Sequence, residues 1–455
     1  MTHTIAAIST PAGSASLGVV RLSGADATAV AARVFRPADP NRTVDKLGGY
    51  TAAYGHVYDA EGDIDECVAL VFRAPHSYTG ENVVEFSCHG GTYLLQRVLR
   101  ACLTAGARPA GPGEYTRRAF MNGKMDLTQA ESVMGLIAAD GQLAARTALA
   151  AREGAVYRRL AAVQDALLGV AAQFGAYIDY PDEDIPDLTP DALGNTLQEA
   201  TEAVAGLLNT FDAGRVLREG VDTAIVGSPN VGKSTLMNCL AGCRRSIVTD
   251  IAGTTRDVVE ETVRLGDVTL RLADTAGIRA TDDTVEHVGV ELARQRMEQA
   301  ALVLAVFDGT APLTEEDKAL AQSLAGRPAI AIVNKADRPI VADTAWLEPY
   351  FRRVVTLSAK EEAGLDALTD AVTHVTGLDR LDADQPVLTT ERQRQCAATA
   401  LQCLEEAAAA LAGGMTLDAV SVSMDGALNA ILELTGQRAT EAVVDRVFAD
   451  FCVGK

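Results

Sequence analysis

Gly227-Ser228-Pro229-Asn230-Val231-Gly232-Lys233-Ser234 sits near the middle of the chain and sets its architecture. It follows a short apolar run, Thr223-Ala224-Ile225-Val226, and leads into Thr235-Leu236-Met237-Asn238, which reads as the start of a helix. A GxxxxGKS loop between strand and helix is a phosphate cradle. Gly227 and Gly232 let backbone N–H groups turn inward, and the helix N-terminus adds positive potential. Lys233 reaches the outer phosphates and the Ser234 hydroxyl can ligate magnesium. The alternative is a chance glycine turn, and the sequence downstream argues against it.

Working outward, Leu270-Arg271-Leu272-Ala273 reads as a strand running into Asp274-Thr275-Ala276-Gly277. Asp274 is placed to hold magnesium through water, and the Gly277 amide to meet a γ-phosphate. A further strand, Ala329 to Val333, delivers Asn334-Lys335-Ala336-Asp337. The Asp337 carboxylate can accept from both the ring N–H and the exocyclic amine of guanine, a donor pair that adenine lacks. A last strand, Val354 to Leu357, ends in Ser358-Ala359-Lys360, whose backbone can donate to the guanine carbonyl. This order of motifs, each closing a strand, predicts a Ras-like α/β P-loop domain that selects GTP over ATP. The residue after Gly277 is Ile278, where Ras-like enzymes place a glutamine that orients the attacking water. Isoleucine can neither accept a proton nor a hydrogen bond, and no arginine finger is marked. The chemistry must then be completed by a cation, a second protomer, or a carboxylate from beyond Arg279.

The chain has 455 residues, a length that predicts about three domains. Residues 1–118 mix short β-rich runs, such as Gly18-Val19-Val20-Arg21-Leu22 and Val83-Val84-Glu85-Phe86, with Gly and Pro turns and a helix over Tyr93 to Leu103, and read as an α+β domain. Two apolar stripes at helical spacing follow. One is Val156, Leu160, Val163, Leu167, Val170, Phe174 and Ile178; the other is Leu193, Leu197, Ala200, Val204, Leu207 and Phe211. The acidic segment Tyr180-Pro181-Asp182-Glu183-Asp184-Ile185-Pro186 breaks the helix between them. After Gly377 the Ala-rich texture returns, with Leu401, Leu404, Ala408 and Leu411 expected on one face. The expected organisation is an α+β domain (1–118), an α-helical bundle domain (119–216 with 378–455), and a GTPase domain inserted into it (217–377).

Lys and Arg total 40 against 61 Asp and Glu, a net charge of -21. That balance argues against a protein that coats nucleic acid unaided, since non-specific affinity comes from cations on phosphates. It leaves room for a basic partner that holds the nucleic acid. The eight cysteines form no CxxC pair, which argues against a zinc site or disulfide framework and fits a reducing compartment. The start, Met1-Thr2-His3-Thr4-Ile5, has no secretory pattern, and no apolar run approaches the ~18 residues needed to span a bilayer. A soluble, cytoplasmic protein without a membrane contact is expected.

The P-loop octapeptide resembles that of the MnmE (TrmE) family of tRNA modification GTPases. So do Thr249-Asp250-Ile251-Ala252-Gly253-Thr254-Thr255-Arg256-Asp257, the run Asp274 to Arg279, and the C-terminal Phe451-Cys452-Val453-Gly454-Lys455. The likeness extends over essentially the whole chain, through Thr4-Ile5-Ala6-Ala7, Pro11-Ala12-Gly13 and Gly113-Glu114-Tyr115-Thr116-Arg117-Arg118-Ala119-Phe120. Val453 stands where the family usually has isoleucine.

The resemblance implies a GTP site built from Asn230 to Thr235, Thr249 to Thr255, Asp274 to Gly277, Asn334 to Asp337 and Ser358 to Lys360. It implies a homodimer whose GTPase domains meet across their nucleotide faces, with potassium where an arginine finger would sit. The potassium ligands would be Asn230, the backbone of Thr249 and Ile251, and Thr254. Magnesium would be held by Ser234 and Thr255. Glu286 would be the general base or water-orienting carboxylate; without the resemblance it reads as a solvated helix charge, the commoner fate of a lone Glu. The resemblance also implies a folate site for 5-formyl-tetrahydrofolate or a related folate, at Arg21, Glu85, Lys124 and Lys455. Arg and Lys suit the glutamate tail and Glu85 the pterin N–H donors, although each could equally be a surface ion pair. Cys452 is positional unless its pKa is depressed.

The implied activity is GTP hydrolysis driving an open–closed cycle. With the FAD-dependent partner MnmG, the protein would install an aminomethyl or carboxymethylaminomethyl group at carbon 5 of the wobble uridine of certain tRNAs. A GTP-switched ribosome or RNA assembly factor, with the N-terminal domain a docking module, is the alternative. An ATP-dependent kinase or motor is disfavoured by Asp337.

Overall fold

The computed structural model describes residues 3–179, 189–242, 261–272, 300–449 and 451–455, with the side chains of 174–179 and 261 left aside. The chain forms two compact units, Met1–Met134 with Asn429–Lys455, and Gly135–Leu428.

The first unit is built on strands β1 (Ile5–Ile8), β2 (Leu17–Ser23), β3 (Phe35–Pro37), β4 (Thr51–Asp59), β5 (Gly62–Phe72), β6 (Val83–His89) and β7 (Arg108–Pro109). They make one sheet in the order β3-β4-β5-β6-β2-β1-β7, antiparallel except where β7 runs beside β1. Side chains alternate across a strand with period two. Val20 and Leu22 of β2 and Val84, Phe86 and Cys88 of β6 therefore turn inward against helices Ala27–Val34 and Thr92–Thr104, which contribute Val30, Ala31, Val34, Leu95 and Val98. The intervening residues face the other way. Register places Arg21 of β2 directly opposite Glu85 of β6 on that second face.

The expected helix over Tyr93 to Leu103 is present as Thr92–Thr104. Helices Glu114–Met121 and Glu441–Ala449 share a second core, in which Ala119, Met125, Leu127, Val444, Phe448 and Phe451 are buried. Phe451 leads into the chain end, which docks against the sheet unit. Val453 bridges to Pro112, and the Tyr115 N–H donates to the Lys455 carbonyl at 3.1 Å.

In the second unit, β8 (Val221–Val226), β9 (Glu261–Leu265), β10 (Val268–Leu272), β11 (Leu302–Asp308), β12 (Ala329–Asn334) and β13 (Arg353–Thr356) form a sheet in the order β13-β12-β11-β8-β10-β9. Every pairing is parallel except β9 with β10. The central strands β11 and β12 are apolar almost throughout because both faces are covered, one by a cluster containing Leu304, Ile330 and Leu368, the other by one containing Phe307, Val333 and Leu324. The strands predicted at 223–226, 270–273, 329–333 and 354–357 are all found, displaced by one or two residues at their ends.

Helix Ala155–Asp179 buries Val156, Leu160, Val163, Leu167 and Val170 of the first stripe, while the side chains of Phe174 and Ile178 lie outside the described ones; Pro190–Leu208 and Glu391–Ala412 carry the other stripes, with two adjustments. Leu193, Leu197, Ala200, Val204 and Leu207 are buried in one helix, but Phe211 opens the next, Phe211–Glu219, after a break at Asn209-Thr210. In Glu391–Ala412 the fully buried line is Ala397, Ala400, Leu404 and Ala407; Leu401, Ala408 and Leu411 flank it half-buried. Small alanines let the neighbouring helix approach, so the deepest line joins three of them to Leu404, and Leu401 and Leu411 stand beside it. The acidic breaker at 180–186 lies outside the described residues.

Candidate functional site: a guanine-nucleotide cleft

In parallel α/β sheets, ligands collect at the carboxyl ends of the strands. Here β8, β11, β12 and β13 all deliver loops to that edge. After β8, Gly227 takes φ +149, and a Cβ there would lie 2.3 Å from the Val306 carbonyl. Gly232, at φ +102, would push a Cβ to within 2.3 Å of Asn334 Nδ2. These two positions admit glycine and little else. Asn230 adopts the same left-handed region at φ +65 with its side chain exposed. Helix Lys233–Gly242 starts two residues earlier than the sequence suggested, leaving Ser234 and Thr235 exposed in its first turn. The Lys233 ammonium folds back to donate to the carbonyls of Gly227 (2.7 Å) and Ser228 (2.8 Å), and burial pushes its pKa down. A phosphate could take the place of those carbonyls as the acceptor for this ammonium.

Asn334 is 3% exposed and staples two loops together. Its Nδ2 donates to the Val231 carbonyl at 2.9 Å, and its Oδ1 accepts from the Ala359 N–H at 3.0 Å. Asp337 Oδ1 accepts from the Ser358 hydroxyl at 2.8 Å, and this bond holds the carboxyl below the usual carboxylate range. Asp337 is thus ionised and fixed. The sequence reading assigned the guanine carbonyl to backbone donors of Ser358-Ala359-Lys360. The Ser358 amide is spent on the Ala363 carbonyl and the Ala359 amide on Asn334, so those two donors are engaged within the protein. What Ser358 supplies here is its hydroxyl.

Two carboxylates at this edge, Asp308 and Asp317, were not singled out from the sequence. Lys335, also left-handed at φ +68, donates to Asp308 Oδ2 at 2.6 Å and to the Asn230 carbonyl at 2.9 Å. The Ser228 hydroxyl donates to Asp317 Oδ1 at 2.7 Å, and Asp317 in turn closes the capping box of helix Glu315–Ser323 with Thr314. Asp308 ends an apolar strand and Asp317 stands three residues after Thr314; neither signal says what the carboxylate touches.

Thr249, Asp250, Ile251, Ala252, Gly253, Thr254 and Thr255, Asp274, Thr275, Ala276 and Gly277, Ile278 and Glu286 lie outside the described residues. The structure therefore places Asn230 and Ser234 from the expected cation ligands.

On the first unit, the structure brings Arg21, Glu85 and Lys455 together. Arg21 Nε donates to Glu85 Oε1 at 2.7 Å, and Arg21 Nη1 to the Gly454 carbonyl at 3.4 Å. The guanidinium lies 5.8 Å from the Tyr78 ring centre and 5.5 Å from that of Tyr115. Burial, aided by the Arg21 charge, pushes the Lys455 ammonium down. Lys124 stands apart from this trio: it donates to the Pro75 carbonyl at 3.1 Å, and its stem packs by Gly80. Cys452 is exposed, with its carbonyl accepting from the Gly113 N–H.

No helix among the described residues is long and apolar enough to cross a membrane. Residues 4–124 match the family described as GTP-binding protein TrmE N-terminus, and residues 127–452 match the MnmE helical domain. Proteins named tRNA modification GTPase MnmE align along the whole chain. The one from Heliobacterium modesticaldum is 42% identical, covering 99% of each chain. That from Geobacillus kaustophilus is 41% identical, again over 99% of both, and that from Chloroflexus aurantiacus is 41% identical over 100% of both. With the P-loop, the buried Asn334 and the ionised Asp337 at one sheet edge, these matches lead to one conclusion: the chain belongs to the MnmE (TrmE) family of tRNA modification GTPases.

Proposed function

We propose that this GTPase is activated by potassium, acts as a homodimer in the cytoplasm, and works with the FAD-dependent MnmG. Its reaction is modification of carbon 5 of the wobble uridine of certain tRNAs, to the aminomethyl or carboxymethylaminomethyl form, with a folate as one-carbon donor. The GTPase module is the inserted 217–377 region, set between an N-terminal domain to residue 118 and a helical domain from the rest. Asp337 accepts from guanine, and Asn334 holds the loops that flank it. Lys233 leaves its own loop carbonyls for the phosphates. Ser234 and Thr255 would hold magnesium. Asn230, Thr249, Ile251 and Thr254 would hold potassium, which supplies positive charge beside the bridging oxygen where charge develops. Glu286 orients or deprotonates the attacking water. Arg21, Glu85, Lys124 and Lys455 would hold the folate, Glu85 keeping Oε2 for the pterin while Oε1 stays with Arg21.

The observation that carries the reading is Asn230. An exposed asparagine stands in the phosphate loop in the left-handed region at φ +65, its main-chain carbonyl bonded to Lys335, and a side-chain amide oxygen is a ligand type suited to potassium. Ile278 leaves the chemistry in need of just such help. The test is initial hydrolysis rates at equal ionic strength in KCl and NaCl. Fast turnover in KCl and slow turnover in NaCl are expected; equal rates refute the potassium role. Mass spectrometry of wobble uridines in cells lacking the gene tests the tRNA reaction.

A further inference from the structure

Asp308 closes β11 at the nucleotide edge, and both of its oxygens are engaged. Oδ1 accepts from the Thr310 N–H at 2.9 Å and the Thr310 hydroxyl at 2.7 Å; Oδ2 accepts from Lys335 Nζ at 2.6 Å. Burial raises the carboxyl, but the Lys335 and Thr310 hydrogen bonds outweigh it and hold it down to about 2. Three of the carboxylate's roughly four acceptor positions are taken inside the protein, so it has little left to offer a nucleotide. Its effect must pass through Lys335.

Lys335 has a second contact, to the Asn230 carbonyl at 2.9 Å. Asn230 and Lys335 are two of four non-glycine residues with positive φ among the described residues, at +65 and +68, and this one ammonium joins them. Such backbone persists where surrounding contacts over-determine it. A lysine side chain is long and rich in rotamers, and an unanchored ammonium would spend much of its time in water. Asp308 removes that freedom.

We propose that Asp308 is a positioning residue of the nucleotide site: by anchoring the Lys335 ammonium over the P-loop it fixes the Asn230 carbonyl and the left-handed turn that faces the phosphates. The proposal rests on the nucleotide site read above, since the turn matters only if phosphates meet it. Asp308→Asn keeps the shape and removes the charge that attracts Lys335. Asp308→Glu keeps the charge one methylene away.

The test is stopped-flow release of a fluorescent GDP from the full chain. Parent, Asp308→Asn, Asp308→Glu, Lys335→Met and the double variant Asp308→Asn/Lys335→Met are compared well below their thermal midpoints. Release from Asp308→Asn should be about ten-fold faster, the size expected for a lost charge-assisted hydrogen bond. Asp308→Glu should recover part of that, and the double variant should release no faster than Lys335→Met alone, because the two residues act as one unit. A general loss of stability would lower the midpoint without this non-additivity. Release from Asp308→Asn at the parent rate, or additive effects in the double variant, overturns the proposal. Should Asp308→Asn fail to fold, the cycle is run with Asp308→Glu, and additive effects there overturn it equally. A parent protein that fails to bind the GDP probe removes the site reading, and the proposal with it.

Discussion

Replacing Asn334 by alanine tests whether the guanine side of the cleft is assembled as the structure shows. The side chain is 3% exposed and makes two hydrogen bonds, both to backbone groups of other loops. Alanine leaves the Val231 carbonyl and the Ala359 N–H without these partners, in residues that are 4% and 3% exposed. An orphaned buried polar group costs roughly 1–3 kcal/mol, so the pair should cost about 3 kcal/mol or more. For a domain of this size that is a fall of about 6–12 °C in the thermal midpoint. The relevant transition is the one that added GDP raises, because ligand stabilises only the part that binds it. Asn334→Asp sharpens the test. It keeps an acceptor for Ala359 but sets an anionic oxygen against the Val231 carbonyl, so it should cost at least as much. A midpoint for Asn334→Ala within about 1 °C of the parent would falsify the staple, since no two buried hydrogen bonds are lost so cheaply.

The remaining predictions concern the chemistry and the chain end. Glu286→Ala should abolish GTP hydrolysis while leaving GTP affinity nearly intact; single-turnover assays that still show cleavage remove Glu286 from the reaction. Asp337→Asn exchanges an acceptor for a donor and should shift preference from guanine towards xanthine nucleotides, which competition binding measures; unchanged guanine selectivity contradicts the assigned role. Gly454, at φ +101, would carry a Cβ to 2.6 Å from the Ile8 carbonyl and 2.9 Å from Ser9 Cα. Gly454→Ala should therefore lift the C-terminal residues from β1, speeding carboxypeptidase trimming and weakening folate binding by calorimetry, whereas parent-like trimming argues that the end is not held there.

The nucleotide edge was legible from residues alone because its signals are local. Gly227 and Gly232 declare backbone that few other residues can adopt, and the apolar run at 329–333 declares a strand. The stripe in Ala155–Asp179 was legible for the same reason, since period 3.6 is written into a single helix. Partnership between distant residues has no such local mark. Arg21 meets Glu85 only because β2 and β6 pair in one register, and a slip by one residue would send Glu85 to the core face. Gly454 reaches Arg21 across 433 positions, and Asn334 reaches Val231 across 103. Asp308 looks ordinary in sequence and Lys335 and Asn230 belong to separate motifs; the three become a chain of contacts once β8, β11 and β12 lie side by side. Local residue preferences set which backbone could turn and which faces were apolar; packing of the sheet settled which polar groups meet, because that depends on register and strand order and not on any residue's own preference.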